Sequence, residues 1–104
     1  MVVVNKPLLD EARTIFTDLG YTVTDLGSEL RAERKWRIVY VTADDPDEVT
    51  EDVDLRCFIT NEDRASRLRE ELLARGPDYD WAVMSVGDDG YDVLHPQSSQ
   101  ALPT

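Results

Sequence analysis

Two acidic residues and a lysine have the spacing in this chain that comes closest to a catalytic site. Glu33 and Lys35 form a Glu-x-Lys pattern, and Asp25 precedes them in a separate segment of alternating polar and apolar residues. Two carboxylates and a lysine that converge on a metal ion suit phosphodiester cleavage. The pattern predicts such a site only if the Asp25 and Glu33 carboxylates lie within about 5 Å of each other, with the Lys35 amine nearby.

The order of a helix carrying Glu11, an acidic strand and a Glu-x-Lys strand resembles the restriction-endonuclease-like nucleases. The resemblance implies that Asp25 and Glu33 hold Mg²⁺ and that Lys35 assists the attacking water. In that family, however, Glu-x-Lys follows the apolar part of its strand, whereas here it precedes Trp36 and the apolar run after it. A three-residue pattern also arises readily by chance in a chain with 32% charged residues. The nuclease is therefore an alternative hypothesis, and no catalytic residue is assigned.

A tryptophan surrounded by basic residues is the second candidate, and it predicts binding rather than catalysis. Such a group can stack on a base and hold phosphate, or it can bind an acidic partner. The segment 29–37 has a net charge of only +2 because Glu29 and Glu33 belong to it. A set of solvent-facing ion pairs between strands is therefore the simpler interpretation. The predicted binding residues are Arg31, Arg34, Lys35, Trp36 and Arg37.

The remaining reactive residues do not form a recognisable motif. Cys57 lies in the apolar run LRCFIT and is predicted to be a small buried hydrophobe. His95, the single histidine, precedes a proline and has no Ser-His-Asp pattern around it. The segment 44–54 contains seven carboxylates but lacks the ordered spacing of a calcium loop, so it predicts a solvated acidic loop whose cation binding stays open. No cofactor and no metal are predicted.

Charge is the strongest compositional signal. Fourteen Asp and eight Glu oppose nine Arg and two Lys, which gives a net charge of -11. This balance disfavours nucleic acid as a partner, because phosphate neutralisation needs a basic surface. The Asp-rich, Lys-poor composition and the stretches ELRAERKWRIVYVT, LRCFIT and DYDWAVMSVG resemble a family of small acidic haloarchaeal proteins without assigned function. The resemblance implies a high-salt habitat, and it implies no activity.

The pattern of apolar residues predicts an α+β fold. We expect a single-layer mixed sheet of about six strands packed by two helices, with one right-handed βαβ crossover and a C-terminal hairpin. Residues 1–96 form the predicted domain and 97–104 a flexible tail. Residues 34–35 form either a tight connection or part of one long bent strand. Helices are predicted at 7–19 and 62–75, and strands at 21–26, 29–33, 36–43, 55–60, 81–86 and 91–94; the β-branched run 2–4 could add a short edge strand.

The predicted sheet has more apolar surface than two helices on one face can cover. The strands at 38–41 and 81–86 are apolar on both faces. If both helices lie on one face, Val39 and Val41 remain on an open face, which predicts self-association or a protein partner. Residues 1–20 lack signal-peptide features, so we expect a cytoplasmic protein with no membrane contact. Together these observations predict a non-enzymatic interaction or regulatory module that binds a protein partner or forms a homodimer.

Overall fold

The computed structural model describes residues 6–50 and 52–96, and these contain two helices and one six-stranded sheet. The predicted strand at 2–4 and the predicted tail at 97–104 lie outside the described residues. The predicted α+β class is confirmed. The elements in chain order are α1 (Lys6–Asp18), β1 (Thr22–Asp25), β2 (Glu29–Arg34), β3 (Arg37–Thr42), a 3-10 turn (Pro46–Glu48), β4 (Leu55–Asn61), α2 (Glu62–Arg75), β5 (Asp80–Gly87) and β6 (Gly90–Leu94).

The strands lie in the sheet in the same order as in the chain, from β1 to β6. β3, β4 and β5 are parallel, whereas β1, β2 and β6 pair antiparallel with their neighbours. The predicted β4–α2–β5 crossover and the C-terminal hairpin are present. The parallel β3–β4 pair was not predicted. Its connection contributes Val49 and Val53 to the cluster under α2, so both crossovers lie on one face and have the same hand.

Glycine ends α2 directly after Arg75, the last residue of the predicted helix. Gly76 adopts a left-handed conformation with φ of 61° and donates its N–H to the Leu72 carbonyl at 3.0 Å. Residues with a Cβ rarely adopt this conformation, which is why glycine is favoured after the last helical turn. The described part of the chain offers no helix with the length and apolar character needed to cross a membrane.

The two helices lie on opposite faces of the sheet, so the premise that both cover one face is wrong. Successive residues of a strand point to opposite faces. In β4, Ile59 packs in the cluster under α1, whereas Phe58 packs in the cluster under α2. Val39 and Val41, which were expected on an open face, are buried under α1.

Each helix covers only part of its face, and the two uncovered parts differ in chemistry. α1 packs on β1 to β4, and α2 packs on β4 and β5. The α2 face of β1 and β2 therefore stays open, and it is polar, with Thr22 opposite Glu33. On the α1 face of β5 and β6, neither described helix covers the partly exposed Ala82 or the exposed Val93, whereas Met84 beside them is buried in the cluster under α1. The incomplete cover of this second part creates a concave apolar surface.

Candidate functional site

A two-residue loop joins β2 to β3 and positions the predicted basic residues. Arg34 lies opposite Arg37 at the end of the strand pair, so Lys35 and Trp36 form the loop. Tight hairpin loops require positive φ at their first or at both central residues. Lys35 supplies it with φ of 57°, and no other non-glycine residue of 6–50 and 52–96 has positive φ. The tight connection is thus the correct alternative, but Trp36 lies in the loop and not in the strand.

The loop exposes Trp36 to solvent. Its exposed fraction is 81%, compared with 7% for Trp81, the other tryptophan of the chain. A large aromatic side chain loses little conformational entropy on binding and buries a large area. Tryptophan and arginine are also enriched among the residues that contribute most to protein interfaces. Trp36 is therefore placed to be the centre of a contact surface.

Three basic side chains surround Trp36, and none of them forms an ion pair with a described residue. Arg34 lies over Gly20, with its Nε 3.0 Å from where a Cβ would stand, next to the C-terminal end of α1. Cations are favoured there because the helix dipole places partial negative charge at that end. The arginines that do form ion pairs with described carboxylates are Arg13, Arg31, Arg56, Arg64 and Arg75.

We call the exposed group at the loop the hairpin surface and define it as Tyr21, Arg34, Lys35, Trp36 and Arg37. These five residues line one open concavity of about 650 Å³. Arg34 and Arg37 lie on the α1 face, because they continue the alternation of buried Ala32 and Val39. Four of the five predicted binding residues are thus brought together.

Arg31, the fifth predicted binding residue, lies on the opposite face. Its neighbour across β3 is Tyr40, and its guanidinium donates to the Glu33 carboxylate at 3.0 Å. A hydrogen bond with Tyr40, followed by the charge of Glu33, raises the pKa of Arg31. The simpler interpretation of the segment, a set of solvent-facing ion pairs, therefore applies to Arg31 but not to the hairpin surface.

The residues of the nuclease hypothesis are not brought together. Asp25 lies opposite Leu30 on the α1 face, where it accepts hydrogen bonds from Arg13 at 2.9 Å and from the Gly27 N–H at 2.8 Å. Glu33 lies opposite Thr22 on the other face. The shared metal that this hypothesis requires therefore has no common site. Within residues 6–50 and 52–96, no cluster of three His, Cys, Asp or Glu side chains has the geometry to hold a metal ion.

An apolar groove of about 500 Å³ adjoins the hairpin surface and shares Tyr21 and Arg37 with it. It lies between the C-terminal end of α1 and the uncovered α1 face of β5 and β6. Sequence patterns do not predict it, because it follows from how far α1 extends across the sheet. Its apolar walls include Phe16, Leu19, Val39, Ala82, Met84 and Val93, and its polar walls include Arg37, Asp80 and His95.

Arg56 is a buried ionic residue that the sequence analysis missed. Its side chain is 1% exposed and donates to Glu29 at 3.0 Å and to the Thr50 carbonyl at 3.1 Å. Its guanidinium also lies 5.7 Å from the centre of the Tyr79 ring. The signal was present, since Arg56 is the single charged residue in LRCFIT. These contacts tie the β3–β4 connection to the sheet, which is a structural role.

Cys57, the next residue, is buried as predicted. Loss of solvation raises the pKa of its thiol to about 12, so the nucleophilic thiolate is disfavoured at neutral pH. Although Cys57 belongs to the walls of the apolar groove, it is 5% exposed and acts there as a small apolar group. The interpretation of Cys57 as a buried hydrophobe is confirmed.

Comparison with known proteins places most of the chain in one family. The model of DUF7116, described as a family of unknown function, matches residues 9–95. Neither the curated proteins nor the solved structures include a significant match. The match thus supports the expectation of an uncharacterised family and leaves the function to be argued from the structure.

Proposed function

The chain belongs to DUF7116, a family of unknown function, and we propose that it is a non-enzymatic interaction module. Its hairpin surface binds an acidic segment of a protein partner. One observation carries the proposal. Trp36 is 81% exposed and is flanked by Arg34, Lys35 and Arg37, which have no ion pair with a described residue. These three cations and the exposed indole lie together on one surface of a chain with a net charge of -11, so this surface differs in charge from most of the molecule. It therefore suits an acidic partner with an apolar contact.

The overall charge favours a short acidic segment over a nucleic acid. A nucleic acid extends across a large surface and gains affinity from about 6–10 phosphate contacts in typical complexes. The hairpin surface offers three cations in a chain with a net charge of -11, and the affinity that phosphate contacts give falls steeply as the salt concentration rises. An acidic peptide segment can end where the basic side chains end, and its apolar contact with Trp36 does not depend on charge. Nucleic-acid binding through the same residues remains the alternative that the test below must distinguish.

The acidic composition further supports a proposal that the protein works in a cytoplasm of molar salt. At about 1 M salt the Debye length is about 3 Å, so charges that are not in direct contact are screened. Under these conditions the hairpin cations act only at contact distance, and apolar burial of Trp36 supplies more of the affinity. We therefore expect Trp36 to be the most sensitive position on the hairpin surface.

Affinity capture in molar KCl, with the purified chain as bait, tests the proposal. A protein captured by the wild type should be lost with Trp36→Ala and reduced with Arg34→Gln. For a purified partner, isothermal titration should show at least about a tenfold weaker Kd for Trp36→Ala, as for a residue at the centre of an interface. Competition by a synthetic poly-Glu peptide but not by single-stranded DNA is expected.

Two control variants on α2 make the same kinds of change away from the hairpin surface. Leu73 is exposed like Trp36, so Leu73→Ala controls for loss of an exposed apolar side chain, and Arg67→Gln controls for loss of a charge. A partner that binds Trp36→Ala as tightly as the wild type would refute the proposed surface. If the bait captures nothing and sediments as a strict monomer at high concentration in molar KCl, both the partner and the homodimer are refuted.

A further inference from the structure

The apolar groove exposes side chains that water solvates poorly. At its edges Leu19 is 47% exposed and Val93 is 39% exposed, although both are large aliphatic residues. Its volume of about 500 Å³ falls within the range of about 300–1,000 Å³ that is typical of small-molecule sites. Covering these side chains with an apolar molecule would remove them from water, which is favourable in proportion to the area buried. The shape and lining therefore suit an apolar ligand of small-molecule size.

The groove has an excess of positive charge at the end that adjoins the hairpin surface. Among the described residues that line the groove and the hairpin surface, Arg34, Lys35 and Arg37 are opposed by one carboxylate, Asp80. Arg56 does not alter this balance, because its charge pairs with Glu29 on the other face. Arg37 lines both concavities and forms no ion pair with a described residue. A guanidinium in that position can bind a carboxylate or sulfonate at two points.

We propose that the apolar groove binds an amphipathic organic anion, with its apolar body on the exposed Leu19 and Val93 and its acidic group on Arg37. The site goes beyond the proposed function, because the hairpin surface would bind a protein through Trp36, whereas the groove holds a small molecule. Arg37 belongs to both, so a bound anion would neutralise one of the three cations that the partner needs. The class of ligand follows from the combination of apolar walls and one guanidinium that has no ion pair among residues 6–50 and 52–96.

A pair of fluorescent probes that differ only in charge tests the proposal. Anilinonaphthalene sulfonate has an apolar aromatic body with one sulfonate, and N-phenyl-1-naphthylamine has the same body without it. We expect the anionic probe to bind the folded wild-type chain one-to-one and at least about tenfold more tightly than the neutral probe, the difference that one charge-assisted contact gives. Arg37→Gln should reduce this preference to about twofold or less without weakening the neutral probe.

Two further variants separate the groove from the hairpin surface. Ala82 lies in the groove wall, so Ala82→Phe should fill the groove and weaken both probes at least about tenfold. Trp36→Ala should leave both affinities unchanged even where it abolishes capture of a protein partner. Far-UV circular dichroism and a cooperative urea transition confirm that each variant is folded, since the anionic probe also binds partly unfolded states. Equal binding of the two probes, or unchanged binding by Ala82→Phe, would overturn the proposal.

Discussion

Arg56 and Arg37 lie near the starts of neighbouring strands, yet one belongs to the interior and the other to the surface. Arg56 points to the α2 face, where the β3–β4 connection covers it and Glu29 and Thr50 accept its hydrogen bonds. Arg37 points to the α1 face beyond the end of α1, where its side chain is exposed. An arginine therefore stabilises the fold at position 56 and is available for binding at position 37. The difference arises because the β3–β4 connection covers Arg56, whereas Arg37 is exposed.

The energetics of the two positions differ for the same reason. A buried charge is tolerated only when it is paired and hydrogen-bonded, because desolvation costs several kcal/mol per ion, about as much as the pairing returns. Arg56 meets this requirement with its two terminal nitrogens, although its buried Nε has no hydrogen-bond partner among the described residues. An exposed cation such as Arg37 keeps its hydration and needs no partner.

The largest expected effect is the loss of stability when Arg56 is truncated. Arg56→Ala should lower the free energy of unfolding by about 3 kcal/mol, because it removes the partner of Glu29, releases Thr50 and leaves a cavity beside Tyr79. Arg37→Ala should change it by less than about 0.5 kcal/mol. Urea denaturation at one fixed KCl concentration measures both. Equal effects of the two substitutions would contradict the contrast between the two arginines.

The stability of the fold at high pH tests whether the Cys57 side chain in β4 is buried. The pKa of the Cys57 thiol is raised from 9.0 to about 12, chiefly by burial. Below pH 9 both the folded and the unfolded chain keep this proton, whereas above it the unfolded chain loses the proton first. The contribution of Cys57 to stability should therefore fall by about 1.4 kcal/mol per pH unit between about pH 9 and 12.

Denaturation curves at pH 8 and pH 10 for the wild type and Cys57→Ala isolate this effect. Tyrosine and lysine titrate similarly in both chains, so the difference between their pH dependences reports Cys57. The wild type should lose about 1.4 kcal/mol more than the variant over this interval. A parallel pH dependence in the two chains would show that the thiol is solvated in the folded state.

A glycine in the hairpin loop should raise the stability of the fold, whereas the changes at Arg56 and Cys57 concern losses. A non-glycine residue at positive φ costs about 1–2 kcal/mol, and Lys35 has φ of 57°. Lys35→Gly relieves this strain but adds entropy to the unfolded chain, so the net gain should be about 0.5–1 kcal/mol. Lys35→Ala removes the same charge without relieving the strain, so urea denaturation should show no gain. A gain with Lys35→Ala would indicate that charge, and not backbone strain, limits the loop.

Local patterns predicted the elements well, because the signals that define them are local. Apolar spacing placed α2 at 62–75, and the apolar run LRCFIT predicted that Cys57 is buried. The parallel β3–β4 pair was missed because its connection is an acidic segment without helical periodicity. The faces that α1 and α2 cover were missed because they depend on crossover geometry, which one helix pattern does not specify.

In the candidate site, too, local sequence patterns predicted some features, whereas others depend on how the strands and helices pack. Four of the predicted binding residues came together, since they are neighbours in the chain. Arg31 and the Asp25–Glu33 pair did not, because strand alternation and register place them on opposite faces. Alternation within β2 already separates Arg31 from Arg34, so this signal was available in the sequence. The apolar groove depends on the length of α1 relative to the width of the sheet, which no local pattern contains.

Substitution of Trp36 should give the smallest change in stability. The fluorescence of Trp36 and Trp81 also compares a surface side chain directly with a buried one. Trp36→Phe should change the free energy of unfolding by less than about 0.5 kcal/mol, because the side chain it replaces is 81% exposed. It should also remove the long-wavelength part of the emission and most of the quenching by acrylamide, and leave the emission of buried Trp81. Trp81→Phe is the matched variant, and it should leave an emission that acrylamide quenches as readily as free tryptophan. If Trp36 is instead shielded from acrylamide in the wild type at high concentration but accessible on dilution, a second copy of the chain covers the hairpin surface.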